Sequence, residues 1–420
     1  MTITRRDLIG AAATLPLVIG PLALGACSRR HGTGLDMWAM GAEAENLAAL
    51  LATLPGGGPK DIRIQPLPWS AAHEKLLTAY AGGSLPDLGQ VGNSWIAELT
   101  AIGAIHPVPA AMLPLVDGQF GGVVDTNRID GRLMALPWYV DTRLQFYRKD
   151  LFDDAGYAVL PPRWDDWKSA LRKVKQNQGN DGFAILLPIN EYEHLTQMGL
   201  SAGATFLNAD GTRGAFRSPE FRQALAFYKS LFDEKLAPVA GAAQISNVWN
   251  EFAKGYFAVY PSGPWTIGDM KSRLPAELQS SWATAPFPGP DGPGRSTPGG
   301  SSLVVFSKAR NPVAAWALIA QLVAPAAQAK LQALTGDLPP TRAVWDSAGL
   351  TADPITDAFA RQLDRTTALP KVPEWERIAT EMQTVAELFV RGRMSLDDAV
   401  ADIDRRADRL LEKRRWMLAR

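Results

Sequence analysis

The chain has 420 residues, a hydrophobic share of 46%, a charged share of 20% and a formal net charge of +0. That balance excludes a disordered chain, and the lack of a long basic block argues against a nucleic-acid binder, which needs a charged face for phosphates. The length supports two substantial domains, and the single cysteine, Cys27, rules out an intrachain disulfide.

The N-terminus carries Arg5-Arg6-Asp7 ahead of an apolar stretch from Leu8 to Ala26, closed by Leu24-Gly25-Ala26-Cys27. A basic start followed by a short apolar run is an export signal rather than part of the fold. Gly10, Gly20 and Pro21 interrupt the run, so it does not read as a mature membrane span. The twin arginines resemble a Tat signal, with Leu8 where that motif prefers Phe. The closing run resembles a bacterial lipobox, in which Cys27 is lipidated after cleavage and tethers the mature chain to a membrane. The alternative for Cys27 is an ordinary buried thiol.

Gly34–Met40 then predicts a first strand, followed by a helix from Gly41 to about Leu54. Asp61–Leu67 alternates as a second strand, Trp69–Tyr80 reads as a helix, Leu88–Val91 as a third strand, and Trp95–Ile102 as a further helix. Strands alternating with helices predict a parallel α/β sheet with ligand loops at the strands' carboxyl ends. Those loops carry Glu43, Asn46, Trp69, His73, Asn93 and Trp95. Asn93 follows a buried strand directly, so it either faces the crevice or closes a turn.

Pro107–Val124 is Pro-rich and loosely helical. Leu136–Val140, Asp141 and Leu144–Tyr147 read as a strand, a short break and a second strand. Aromatic rings beside a carboxylate suit a sugar or polyol, whose C–H faces stack while its hydroxyls donate. Equally, Trp138 and Tyr139 read as core anchors. Pro161–Trp167 opens a helix in which Asp165 is the expected cap and Trp167 the buried face. Phe183–Leu187 is a strand, and Glu191–Ala202 and Pro219–Leu231 are helices. Asn247–Gly255 and Tyr256–Tyr260 read as helix then strand, delivering the chain into Pro261-Ser262-Gly263-Pro264-Trp265. This repeats the pattern of a strand ending in a break that exposes an aromatic. Trp282–Pro286 and Leu303–Phe306 are strands and Asn311–Ala329 a helix. Gly336–Arg342 is a turn, Ala348–Thr366 is loosely helical, Trp375–Phe389 is a helix, and Ser395–Arg415 is an amphipathic tail helix packed on the fold. The domain break falls near Trp138 and the return near Gly300.

Catalytic signatures are lacking. There is no Gly-x-Ser-x-Gly elbow, no Gly-x-Gly-x-x-Gly after the first strand and no Walker loop. Asp153-Asp154 and Asp165-Asp166 are adjacent on helices and point apart. His31, His73, His106 and His194 show no zinc spacing, so no metal and no cofactor is expected. Glycoside hydrolysis would need two flanking carboxylates, and Glu43 with Asp141 is the pair that keeps an exported glycosidase as a rival reading. A surface adhesion lipoprotein is another.

Gly82-Gly83-Ser84-Leu85-Pro86-Asp87-Leu88, the run Gly131–Asp141 into Phe146–Phe152, and Gly299-Gly300-Ser301 before a strand, together with the lipoprotein signal, resemble the solute-binding proteins of ABC sugar importers of the maltose/trehalose type. The resemblance implies a periplasmic-binding-protein-like (type II) two-lobe Venus-flytrap α/β fold with an interlobe ligand cleft. The expected layout is a signal over 1–27, lobe 1 over 28–138, lobe 2 over 139–300, a return to lobe 1 over 301–345, and C-terminal helices over 346–420 completing lobe 2 and the hinge. It implies no enzymatic activity, an exported and lipid-anchored monomer, and a transmembrane permease as partner. Residue by residue, Glu43 matches an acidic sugar ligand after the first strand, while Asn93 stands where relatives carry an acid after the third. Tyr139 and Asp141 match a Tyr and Asp before the second-lobe strand, and Trp265 matches a stacking aromatic. Gly300 and Ser301 join the expected contacts, Ser301 standing where some relatives carry a Trp. Lys371 and Trp375 match loosely, and Arg342 is a further expected contact. The expected ligand is an α-glucoside disaccharide or maltodextrin, with maltose or trehalose favoured. Glycerophosphodiesters, other oligosaccharides and polyols are the alternatives.

Overall fold

The computed structural model describes residues 34–179, 182–245 and 247–419. The expected export signal and Cys27 lie outside the described residues. In chain order the strands are β1 (Leu35–Met40), β2 (Ile62–Leu67), β3 (Leu88–Gly92), the short pair β4 (Arg128–Ile129) and β5 (Arg132–Leu133), β6 (Leu136–Asp141), β7 (Leu144–Arg148), β8 (Phe183–Ile185), β9 (Phe257–Ser262), β10 (Trp282–Ala285) and β11 (Gly299–Val305).

One sheet has the order β2-β1-β3-β11-β6. All six residues of β1 are buried, because helices cover both faces of this sheet; such strands read as unbroken apolar runs. Strand β2 is half-buried and carries Pro66, which an edge strand tolerates because a ladder donor is not needed on its open side. The expectation of an all-parallel sheet needs correction. β1 is parallel to β2 and β3, but β11 runs antiparallel to both β3 and β6. The reason is connectivity: β11 returns from the second sheet and enters at the end where β1, β3 and β6 leave.

The second sheet has the order β10-β7-β9-β8, with β7 antiparallel to both neighbours and β8 parallel to β9. Helices Trp164–Gln178, Tyr192–Ser201, Pro219–Asp233, Trp375–Val390 and Leu396–Leu410 share one apolar core on it. Helix Pro354–Leu363 covers the β10 side, where Phe359 packs 6.0 Å from Phe146. The two sheets with their flanking helices make a two-lobe α/β fold of the type II periplasmic-binding-protein class.

The first sheet holds the chain through Asp141, past the expected break near Trp138, because Tyr139 and Val140 pair with Ser301 and Gly300. The passage to β7 is Thr142–Arg143, and residues 286–298 return from β10 to β11. These two crossings are bonded together: Thr142 Oγ1 donates to the Thr297 carbonyl at 2.9 Å, and Ser296 Oγ to the Arg143 carbonyl at 3.0 Å. A later segment joins them through Val140 N–H donating to the Leu338 carbonyl at 2.8 Å. Phe120, Val140, Leu144, Phe146 and Trp345 form an apolar cluster under the crossings.

Several local expectations change. The stretch Asn311–Ala329 is two helices, Pro312–Leu322 and Pro325–Thr335, bent by 69°. Pro325 disfavours helical backbone at Ala324 and starts the second helix at its first position. Asp165 does not cap its helix; it sits in the first turn after Arg163, where a carboxylate still meets the helix dipole favourably. Trp265 opens a helix, Trp265–Arg273, rather than standing in a loop. Trp138 is fully buried in the first-sheet core, which resolves its role as an anchor.

Candidate functional site

The carboxyl ends of β1, β3 and β6 and the start of β11 meet at one place, and a cavity of about 1210 Å³ opens there between the two sheets. Of the expected residues, Glu43, Asn93, Tyr139, Asp141, Trp265, Gly300, Lys371 and Trp375 all line it.

Glu43 comes from the first turn of helix Gly41–Leu51, directly after β1. The turn demands glycine at 41: its φ is +59°, and a Cβ there would sit 2.7 Å from Glu43 Oε2 and 2.8 Å from Trp69 Nε1. Glu43 is 4% exposed. Burial, and then the carboxylate of Asp337, push its pKa up to about 8, against the pull of its own backbone amide and the Tyr139 hydroxyl. Burial also raises Asp337, whose carboxylate accepts from Thr335 Oγ1 at 2.8 Å and hydrogen-bonds Glu43. The pair therefore keeps a shared proton above the ordinary carboxylate range. Tyr139, buried beside these acids, is held well above the ordinary phenol range by desolvation and then by the Glu43 charge.

Asp141 ends β6. Burial raises its pKa to about 6, opposed by Arg143, while Asp337 adds to the rise and the Gly300 amide donates to it. Gly299 and Gly300 exist for this approach. A Cβ on Gly299 would overlap the Asp141 carboxylate, and one on Gly300, at φ +97°, would overlap the Tyr139 carbonyl.

Asn93 lines the cavity, but its amide also serves the turn. Nδ2 donates to the Gly299 carbonyl at 2.9 Å, and Oδ1 accepts from Ser302 Oγ at 2.7 Å. It locks β3 to β11, so both readings of this residue apply. Two expected residues lie away from the cavity. Ser301 is fully buried, its hydroxyl accepting from Gln90 Nε2 at 3.0 Å, because the strand pleat turns it into the sheet's packed face. Arg342 begins helix Arg342–Ser347, pairs with Asp364 and lies 4.2 Å over the Phe120 ring. It braces the apolar cluster under the crossings.

Trp69 and Trp265 present ring surface, at 37% and 52% exposure. Trp69 packs edge-on to Trp95 at 5.7 Å, and Trp95 stacks on His73 at 4.9 Å, which fixes both indoles. Trp265 belongs to the second lobe and lies under the Arg143 guanidinium at 5.5 Å. Trp375 reaches the wall from a core position, packed 5.2 Å from Phe206. Lys371 is bridged to Asp125 at 2.7 Å. Tyr192 donates to Glu376 at 2.7 Å. Asp337 escaped the sequence reading, which treated Gly336–Arg342 only as a turn; an acid held between a helix end and two prolines was the signal there.

Such a site gathers carboxylate acceptors and exposed ring faces around one cavity. It positions no nucleophile against a base, and among the described residues no cluster of His, Cys, Asp or Glu suits a metal ion. Fold and site together define a two-lobed binding protein with a cavity at the crossings. The chain belongs to the bacterial extracellular solute-binding protein family, whose model matches residues 55–329; its members bind and deliver solutes rather than transform them. Among solved structures it is similar to the sugar-binding protein MalE from Xanthomonas citri, at 44% identity and a TM-score of 0.89, covering 92% of this chain and 100% of that one. It is 28% identical to a binding protein of Brucella abortus over 84% of this chain and 86% of the relative. It is 23% identical to the diacetylchitobiose binding protein DasA of Streptomyces coelicolor, over 88% of each.

Proposed function

We propose that the chain is the substrate-binding component of an ABC importer that captures an α-glucoside, with the disaccharides maltose and trehalose favoured, and delivers it to a membrane permease. The observation that carries this reading is the convergence of Glu43, Asp141 and Asp337 with the exposed Trp265 and Trp69 rings on one cleft. Carboxylates accept from vicinal hydroxyls, and the rings take the apolar C–H faces of a pyranose. The likeness to a sugar-binding protein adds support. A phosphodiester is disfavoured, because Lys371 is paired with Asp125 and Arg143 with Glu193, which among the described residues sets Lys271 alone against Glu43, Asp141 and Asp337 in the cavity lining. Only the closed state touches sugar from both lobes, so sugar shifts an existing open–closed balance. The N-terminal motif fits export through the Tat route and tethering through a lipid on Cys27.

The roominess of the cleft favours one extension of this reading. Its volume of about 1210 Å³ exceeds the roughly 300–1,000 Å³ of most small-molecule sites, which suits a maltodextrin as well as a disaccharide. Calorimetry against maltose, trehalose, maltotriose, diacetylchitobiose and a glycerophosphodiester tests both readings. Heat with an α-glucoside and no turnover supports them. No heat with any glucoside, or hydrolysis of the sugar, overturns them.

A further inference from the structure

We infer that Arg143 is the positioning residue that orients the Trp265 platform, acting through the ring rather than on the ligand; this deepens the sugar-cleft reading and rests on it. Arg143 occupies a singular place. It is one of the two residues that carry the chain from β6 to β7, so its backbone belongs to the first crossing. Its carbonyl accepts from Ser296 Oγ of the second crossing, and that hydroxyl in turn accepts from Gln197 Nε2 at 3.0 Å, from helix Tyr192–Ser201. The backbone carbonyl is thus held by a hydroxyl that is itself fixed from the second lobe.

Its side chain leaves the crossing and enters the second lobe. Nη2 donates to Glu193 Oε1 at 3.2 Å, and Nη1 lies 3.8 Å from Glu191 Oε2. Those carboxylates hold the planar fork, and the fork lies 5.5 Å from the centroid of the Trp265 indole. A hydrogen bond to one carboxylate, a charge pairing with a second and a flat face over the ring are what a planar guanidinium supplies and an ammonium does not. The indole needs such a restraint. It is 52% exposed and opens its helix. A further close neighbour is Gly263, where a Cβ would overlap the six-membered ring. A bare glycine surface gives the ring a seat but nothing to stop it turning. Glu193, Glu191, Arg143 and Trp265 therefore form one chain of contacts, from the start of a helix to the stacking surface.

A double-mutant cycle tests this, with trehalose and maltose as probes. Arg143→Met is expected to weaken binding roughly threefold to tenfold, the range of a partly exposed cation–π contact plus lost ring order. In a Trp265→Ala background the same change is expected to have no effect, and Arg143→Lys is expected to restore only part of the loss. An equal loss in both backgrounds, full rescue by Lys, or no loss in the parent overturns the inference. A ligand-free readout separates its failure from failure of the sugar reading. In fluorotryptophan-labelled protein, the fluorine resonance assigned by Trp265→Phe should shift or broaden in Arg143→Met, with thermal stability retained. A resonance that stays put overturns the inference even if no sugar binds.

Discussion

Glu43 and Asp337 hydrogen-bond one another deep in the cleft, and among the described residues neither has a cationic partner within ion-pair distance. Two acids so placed hold a proton that water would remove. For Glu43 the folded-state pKa, about 8, lies above the ordinary carboxylate value, so the native state binds more protons than the unfolded one between the two. The contribution of Glu43 to the stability of the sugar-free protein is therefore expected to be fully present below the ordinary carboxylate pKa and to be lost as pH rises towards 8, with a slope of at most about 1.4 kcal/mol per pH unit. Glu43→Gln should flatten that slope. Denaturant midpoints across this range check it; an unchanged slope in the variant would place the titration elsewhere.

Sugar binding should release protons. A hydroxyl donates best to ionised Glu43 and Asp141, whose pKa values are lifted to about 8 and about 6. At neutral pH, binding is expected to release up to about one proton, so the calorimetric heat should vary with the ionisation enthalpy of the buffer. Affinity should rise as pH increases from about 6 to about 8. Buffer-independent heat would count against a shared proton in the cleft.

Trp265→Ala and Asp141→Ala are expected to separate binding from stability. Trp265 is half exposed, so truncation should leave the melting temperature within a few degrees while weakening sugar affinity roughly tenfold, the scale of one aromatic contact. Asp141→Ala should weaken it comparably. Unaltered affinity in both variants would remove the proposed cleft.

Gly300→Ala is expected to damage the fold rather than only the site. The residue combines φ +97° with a Cβ position that overlaps the Tyr139 carbonyl. Strain and overlap together should cost roughly 2–4 kcal/mol, read by denaturant unfolding. Stability matching the parent would show that β6 and β11 can part at low cost.

Trp138→Phe and Trp138→Ala should diverge sharply. The side chain is fully buried, and its indole N–H lacks a partner among the described residues. Phe keeps most of the ring contact and removes an unsatisfied donor, so a loss below about 1.5 kcal/mol is expected. Ala leaves a cavity and should cost about 3–5 kcal/mol. Thermal and denaturant unfolding of the two variants measure both.

Much of this fold was legible because its signals are local. Leu35–Met40 is an unbroken apolar run, and Leu136–Tyr147 shows two strands with a break that falls where the chain changes sheets. The antiparallel entry of β11 was not legible, since it depends on pairing Ser301 with Gly92, far apart in sequence. The site was readable where a residue follows a strand end, as with Glu43, Asn93 and Asp141. It failed at Ser301, where a bulge between Ser301 and Ser302 and the pleat decide which way the side chain turns. It failed again at Asp337, whose significance lies in a neighbour hundreds of residues earlier. Arg342 was a further expected contact, yet its charge is answered by Asp364.

The bonds from Thr142 to Thr297 and from Ser296 to Arg143 have a mechanical meaning. Two separate strings between two bodies would let them twist, slide and nod independently. Stitched side by side, these strings act as a strap, stiff against torsion and sliding and compliant mainly to folding across its width. Sugar-driven closure is therefore expected to follow mainly one hinge direction set by this strap.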